Sequence, residues 1–135
     1  MKLVVHVDGG ARGNPGPAAA ACVICSADGS LLRERSRLLG TTTNNVAEYE
    51  ALLLGLREAI ELGGSELEIV GDSELVARQV NGQYAVRHEA LRPLHGEAKR
   101  LLSGLRSWSM RTVPRAQNAH ADRLVNAALD ASSVT

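Results

Sequence analysis

Five residues near the N-terminus, Leu3-Val4-Val5-His6-Val7, run directly into Asp8 and then into Gly9-Gly10-Ala11-Arg12-Gly13-Asn14-Pro15-Gly16. The apolar, β-branched run predicts a buried strand. Apolar side chains on successive positions, not alternate ones, predict a central strand covered on both faces. The Gly-Asn-Pro loop that follows lets backbone approach a ligand, because glycine places no side chain in the way. Asp8 then stands where a central strand ends and an open loop begins. It can start a turn or take part in chemistry, and this stretch alone does not decide between them.

The rest of the chain predicts the elements packed around that strand. Ala18 to Cys25 and Leu31 to Leu39 read as two further strands, joined by the turn signal Ala27-Asp28-Gly29-Ser30. Arg33, Glu34, Arg35 and Arg37 suit an edge strand, where charge discourages edge-to-edge pairing. A loop from Thr41 to Asn45 leads into a helix from about Val46 to Leu62, with Tyr49, Leu52, Leu53, Leu56 and Ile60 at helical spacing. Gly63-Gly64 ends it. Leu67 to Gly71 predicts a fourth strand and Ser73 to Val80 a short helix. A longer helix follows from about Glu89 to Leu102, with Pro93 in its first turn. Ser107 to Val113 predicts a fifth strand, 115–118 a loop, and Ala119 to Ala131 the last helix. Short connections make the first three strands an antiparallel meander. The strand–helix alternation of the second half implies right-handed parallel crossovers. The expected fold is α/β, a mixed five-stranded sheet flanked by helices, with residues 1–131 as one domain and 132–135 as a polar tail.

Composition narrows the function classes. The 15 basic and 15 acidic residues balance, which argues against a strongly electrostatic polyanion binder. The basic residues are nearly all arginine, which suits bidentate phosphate contacts, although a preference for arginine codons leaves the same trace. No apolar run is long enough to span a bilayer and no leader precedes the first strand, so a soluble, cytoplasmic monomer is expected. Cys22 and Cys25 have redox spacing, but three residues apart on a strand they point to opposite faces and should not pair. With no phenylalanine, aliphatic side chains must fill the core.

Four acids recur at element junctions: Asp8, Glu48, Asp72 and Asp122. Each has an ordinary explanation. Asn45-x-x-Glu48 fits a capping box, and taken alone Glu48 reads that way. Asp72 fits a helix N-cap, and Asp122 favours the dipole at a helix start. Together they suggest something else. Ligands in open α/β sheets bind beyond the carboxyl ends of the strands, where these acids would converge. At an effective dielectric of about 20, one such pair 4 Å apart costs about 4 kcal/mol. Protons or a cation must relieve it. An oxygen-only set without His or Cys selects a hard cation, Mg²⁺ or Mn²⁺, and the matching chemistry is phosphoryl displacement with two metals.

Asp8-Gly9-Gly10 with Gly13-Asn14-Pro15-Gly16, Thr42-Thr43-Asn44-Asn45 with Glu48, Asp72-Ser73, and Asn118 to Asp122 occur in an order that resembles ribonuclease H type 1, over nearly the whole chain. The resemblance implies endonucleolytic cleavage of the RNA strand of RNA/DNA hybrids, leaving 5′-phosphate and 3′-hydroxyl ends. It makes Asp8 a bridge between two cations, with Glu48, Asp72 and Asp122 completing the sites. One cation would activate water and the other stabilise the leaving 3′-oxygen. It places Asn14, Asn44 and Glu74 where the family reads the minor groove, whose 2′-hydroxyls distinguish RNA from DNA. Thr43 falls where the family grips a DNA-strand phosphate. Glu74 departs from the pattern, since an acid suits a backbone groove less well than an amide.

The segment Gln83 to His88 is too short for the basic protrusion of longer members, and the short 115–118 loop leaves no room for their mobile histidine. Arg115 is the better candidate for a phosphate contact, and His120 reads as a first-turn helix residue. These features resemble the compact, archaeal-like branch. Some members of that branch are fused to a C-terminal phosphatase domain and some also cleave double-stranded RNA. If four of the 15 acids are ligands, the remaining 11 face 15 basic residues, and binding of a polyanion should depend on metal and salt. Two alternatives stay open at this point: another nuclease of the same fold, and a non-catalytic module that binds hybrids.

Overall fold

The computed structural model describes residues 1–132. The expected tail 132–135 contributes Ser132 to a helix, and its other three residues lie outside the described ones. The elements are β1 (Lys2–Ala11), β2 (Gly16–Ser26), β3 (Leu31–Thr42), α1 (Asn44–Glu61), β4 (Glu66–Gly71), α2 (Glu74–Val80), α3 (Arg92–Ser103), β5 (Ser107–Thr112), a 3₁₀ turn (Arg115–Asn118) and α4 (Ala119–Ser132). The sheet order is β3-β2-β1-β4-β5. β1 and β2 pair antiparallel, as do β2 and β3, whereas β4 lies parallel to both β1 and β5. The meander followed by crossovers is thus the observed architecture, and β1 is its centre. Among the described residues no helix is long and apolar enough to cross a membrane.

Several boundaries differ from expectation, each for a physical reason. β1 does not stop at Asp8. It pairs with β2 as far as Ala11↔Ala18, because Gly9 and Gly10 meet the small residues Ala20 and Ala19 across the ladder. Burial along β1 alternates: Leu3, Val5 and Val7 are fully covered while Val4 and His6 are partly exposed. The reason lies in the layers. Helices α1, α2 and α3 share one core with Leu3, Val5, Val7, Ala20, Cys22 and Ile24. On the opposite face, Val125 and Leu129 of α4 pack against Ala19 and Ala21. β3 runs on to Thr42, and α1 begins at Asn44, two residues before the apolar periodicity starts. α3 begins at Arg92, three residues later than expected, with Pro93 in its first turn.

β3 is an edge strand as its charges suggested. Arg33, Arg35 and Arg37 tie it to Glu58, Glu61 and Glu50 of α1, the shortest contact being Arg35 Nε to Glu58 Oε1 at 2.9 Å. The cysteines are free, Cys22 buried and Cys25 half-buried, and burial pushes the Cys22 thiol up to about 12. The aliphatic core contains one fully buried aromatic, Tyr49, whose hydroxyl donates to Gln79 Oε1 at 2.6 Å. That bond answers the cost of burying an unpaired hydroxyl.

Two features of β1 position the site. Its parallel pairing with β4 ends at His6↔Val70, so the strands part and leave a fork at their carboxyl ends. Beyond the fork, Gly9 lies against the start of α1 so closely that a Cβ there would sit 2.1 Å from the Ala47 carbonyl oxygen. Gly9→Ala must therefore push backbone, and we expect a loss of about 3 kcal/mol in urea unfolding, the upper end of overpacking costs. Gly29→Ala, at a turn with φ of +91° and nothing within 4 Å, should lose about 1 kcal/mol from backbone strain alone. Equal losses would show that the β1–α1 approach is not the limiting contact.

Candidate active site

Three carboxylates meet at the fork. Asp8 comes from β1, Glu48 from the second turn of α1 and Asp72 from the residue after β4, and one oxygen from each lies within 4.8 Å of the others. Asp8 and Glu48 are buried, at 5% and 8% exposure. Burial, and then the charges of Glu48, Asp72 and Asp122, push Asp8 up to about 9. Burial and Asp72 push Glu48 up to about 8, against the opposing pull of the Gly9 hydrogen bond and Arg115. Each shift means that the site resists holding this much negative charge without a counter-ion.

The ordinary explanations for these acids do not hold. α1 is capped by Thr43, whose Oγ1 accepts from the Val46 N–H at 3.3 Å, so the Asn45–Glu48 capping box does not form. Glu48 Oε1 instead accepts the Gly9 N–H at 2.9 Å, across to β1. α2 is capped by Ser73, whose Oγ accepts from the Val76 N–H at 3.2 Å, which relieves Asp72 of that task. Serine and threonine take the caps, and the longer or more acidic neighbours are left to face the crevice.

Asp122, in the first turn of α4, lines the same crevice of about 370 Å³ but is not one of the three close oxygens. Its Oδ1 accepts from Arg115 Nη2 at 3.0 Å. Element spacing pairs none of the acids with a base, and the 3₁₀ turn supplies one by carrying Arg115 onto the crevice wall. An oxygen-only set of three close carboxylates with a fourth at hand fits a hard divalent cation and does not fit a soft one.

The other candidates are distributed around this centre. Asn14 Oδ1 accepts the Asn44 N–H at 3.1 Å, and Asn44 Oδ1 accepts the Ala11 N–H at 3.3 Å, so the glycine loop is pinned to the start of α1. Asn44 lines the crevice, whereas Asn14 and Thr43 line a smaller hollow with Asn45, His88 and Leu91. Glu74 lies in an adjoining groove with Asp72 and Arg115, and its carboxylate is bound by Arg78 Nε at 2.7 Å. His120 points away from the acids and meets Glu34 of β3 at 2.6 Å.

Sequence reasoning missed Asn118 as an anchor. It is 2% exposed, its Nδ2 donates to the Val7 carbonyl at 2.8 Å, and its Oδ1 lies 3.2 Å from His6 Nδ1. One side chain thus fixes the 3₁₀ turn, and with it Arg115 and Asp122, onto β1 beside Asp8. Its partners are more than a hundred residues away in sequence, and no local pattern announces them. Arg12 and Asn126 also line the crevice and were not singled out.

Comparison with known proteins agrees with this geometry. A family model described as reverse transcriptase-like matches residues 6–128. The bifunctional protein Rv2228c of Mycobacterium tuberculosis is 46% identical over 134 residues, which is 98% of this chain. The chain spans only 37% of that relative's length. The crystal structure of RNase H1 from the halophilic archaeon Halobacterium salinarum superposes with a TM-score of 0.94 at 42% identity, covering 96% of this chain and 98% of that one. LC11-RNase H1, solved in complex with an RNA/DNA hybrid, gives a TM-score of 0.91 at 39% identity over 96% of this chain and 98% of that one. With its five-stranded sheet, its ordered motifs and its fork of carboxylates, the chain belongs to the ribonuclease H type 1 family.

Proposed function

We propose that the chain is an endoribonuclease that hydrolyses the RNA strand of RNA/DNA hybrids, leaving 5′-phosphate and 3′-hydroxyl ends. The observation that carries the reading is the approach of Asp8, Glu48 and Asp72 to within 4.8 Å on three separate elements. The neighbour solved with a bound hybrid supports the substrate class. Asp8, Glu48, Asp72 and Asp122 are the residues that would hold two Mg²⁺ or Mn²⁺ ions. When bound, such a pair supplies Lewis-acid stabilisation of charge and activates water.

The chain's own residues do the rest. Glu48 is oriented by the Gly9 N–H, which occupies Oε1 and leaves the second oxygen for a cation. Asp72 is held at the strand end by the cap that Ser73 forms. Arg115 steadies Asp122 and, by the same guanidinium, meets phosphate as substrate enters. Asn14 and Asn44 lie on the pinned glycine-loop junction, where amides can read ribose hydroxyls. Thr43 takes a DNA-strand phosphate, and Glu74 sits at the minor-groove position with its charge offset by Arg78. Residues 1–131 form the catalytic unit, acting as a cytoplasmic monomer. The same kind of unit is the N-terminal RNase H domain of Rv2228c, and double-stranded RNA is a second substrate to be tested.

The direct test incubates one end-labelled RNA strand, paired with DNA, paired with RNA or left single, with Mg²⁺, Mn²⁺ or EDTA. Metal-dependent internal cuts in the DNA-paired form are expected, and hybrid binding without cuts would point to a non-catalytic module. Asp72→Asn should keep the fold and hybrid binding while lowering kcat by at least about 10²–10³-fold, the scale of removing one electrostatic element from a transition-state site.

A stability measurement probes the same carboxylates without substrate. Asp8 and Glu48 rise from 3.8 and 4.5 to about 9 and about 8, so between those limits the metal-free folded protein binds more protons than the unfolded chain. Their contribution is fully present below pH 3.8 and is lost as pH rises through about 8 and 9. Metal-free unfolding free energy should therefore fall across that window. Asp8→Asn should flatten the fall, and added Mg²⁺ should reverse it by binding the folded state. A pH dependence unchanged by Asp8→Asn would refute the clustered-carboxylate reading.

A further inference from the structure

Two arginines line the crevice, and both are tied to α4. Arg115 holds Asp122. Arg12, in the glycine loop after β1, reaches Asp130 Oδ1 at 2.7 Å and Asn126 Oδ1 at 3.3 Å, with the Asn126 carbonyl at 3.5 Å. Asp122, Asn126 and Asp130 are four residues apart and so form one stripe along the helix. Asn126 Nδ2 also donates to the Asp122 carbonyl at 3.1 Å. The stripe thus carries an arginine–carboxylate pair at each end, with the crevice between Arg115 and Arg12.

The loop holds the Arg12 backbone in place from both sides. The Arg12 N–H donates to the Pro17 carbonyl at 2.8 Å, and Gly16 passes so close that a Cβ there would sit 2.1 Å from the Arg12 carbonyl oxygen. Among the described residues, all three side-chain contacts are made by Nη2. A guanidinium has five N–H donors in a planar fork, so the Nε and Nη1 side can take a second oxygen ligand. Arg12 is 43% exposed and Asp130 68% exposed. An exposed pair of this kind is weakly bound and readily exchanged for a phosphate that accepts two parallel bonds.

We infer that Arg12 is a phosphate-binding residue: as substrate enters, its guanidinium exchanges Asp130 for a backbone phosphate of the strand being cut, beside the phosphate at the carboxylates. The inference rests on the hybrid-cleaving reading and adds a contact to it. Asp130 then acts as an internal competitor for the nucleic acid. A plain structural latch between the loop and α4 predicts something different, because removing either partner of a latch loosens it equally.

Hybrid hydrolysis with Mg²⁺, measured over a series of KCl concentrations for wild type, Arg12→Ala, Arg12→Lys and Asp130→Asn, separates these. Arg12→Ala should raise KM by about five- to tenfold with kcat within about twofold. It should also make the slope of log kcat/KM against log salt shallower by about 0.7–0.9, the loss of one neutralised phosphate. Arg12→Lys should restore the slope, and Asp130→Asn should lower KM. If Arg12→Ala and Asp130→Asn raise KM alike with the salt slope unchanged, or if Arg12→Ala changes neither, the inference is overturned while the hybrid-cleaving reading stands. A wild type that cuts no hybrid overturns both.

Discussion

Carboxylates repel, and at the fork between β1 and β4 this fold presses three of them together in a place where two are nearly dry. The Asp8 and Glu48 carboxyls are pushed up to about 9 and about 8 because burial and like charge act in the same direction. No single element could hold that arrangement. Asp8 is fixed by a strand paired on both sides up to His6, Glu48 by a helix lying against that strand, and Asp72 by the next strand and its helix cap. The aliphatic core beneath the fork, from Leu3, Val5 and Val7 to Leu52 and Leu56, supplies the rigidity that offsets the repulsion.

The closeness of the acids is therefore a packing result. Gly55 of α1 lies over β1 where a Cβ would come within 2.8 Å of both Val5 and Val7 side chains, and Gly9 meets the Ala47 backbone without one. These two glycines let the axis of α1 approach the central strand. Glu48 then reaches the fork by a hydrogen bond to main chain, leaving little slack in its position. On the other face, Ala19 and Ala21 give α4 a similarly close seat, which brings Asp122 to the crevice from the opposite layer. The acids converge from both sides of the sheet because small residues occur on both faces of its two central strands.

Much of this was legible in the sequence. The antiparallel meander, the parallel crossovers, the edge character of β3, the unpaired cysteines and the placement of all four acids near one end of the sheet follow from periodicity and turn residues. Local capping rules misled at Glu48, because Asn45 offers a plausible cap while Thr43, two residues earlier, is the one that forms it. The expected strand end at Asp8 failed for a different local reason: paired glycines read as a loop, whereas facing alanines on β2 keep them in the ladder. Asn118 and the Arg115–Asp122 pair were out of reach. Their partners belong to β1 or to a turn whose direction only the packed sheet sets.

The zero net charge takes on a different meaning once partners are known. Arg33, Arg35 and Arg37 are engaged by the glutamates of α1, and Arg100 and Arg111 by Glu97 and Glu68. These pairs brace the edge strands and helices and offer little to a polyanion. The two arginines on the crevice wall are engaged as well, but by carboxylates of α4, one of which is itself a candidate ligand. A cation drawn to Asp122 would compete with Arg115 for that carboxylate and leave the guanidinium seeking another anion. On the proposed function, a cation at Asp122 would turn Arg115 from an internal partner into a hydrogen-bond donor to phosphate, whereas Arg12 is paired with Asp130 and is released by the nucleic acid itself. On that reading a chain with balanced charge needs no basic face to meet a polyanion, since the guanidinium groups it would use stand at one crevice and are held there by exchangeable carboxylates.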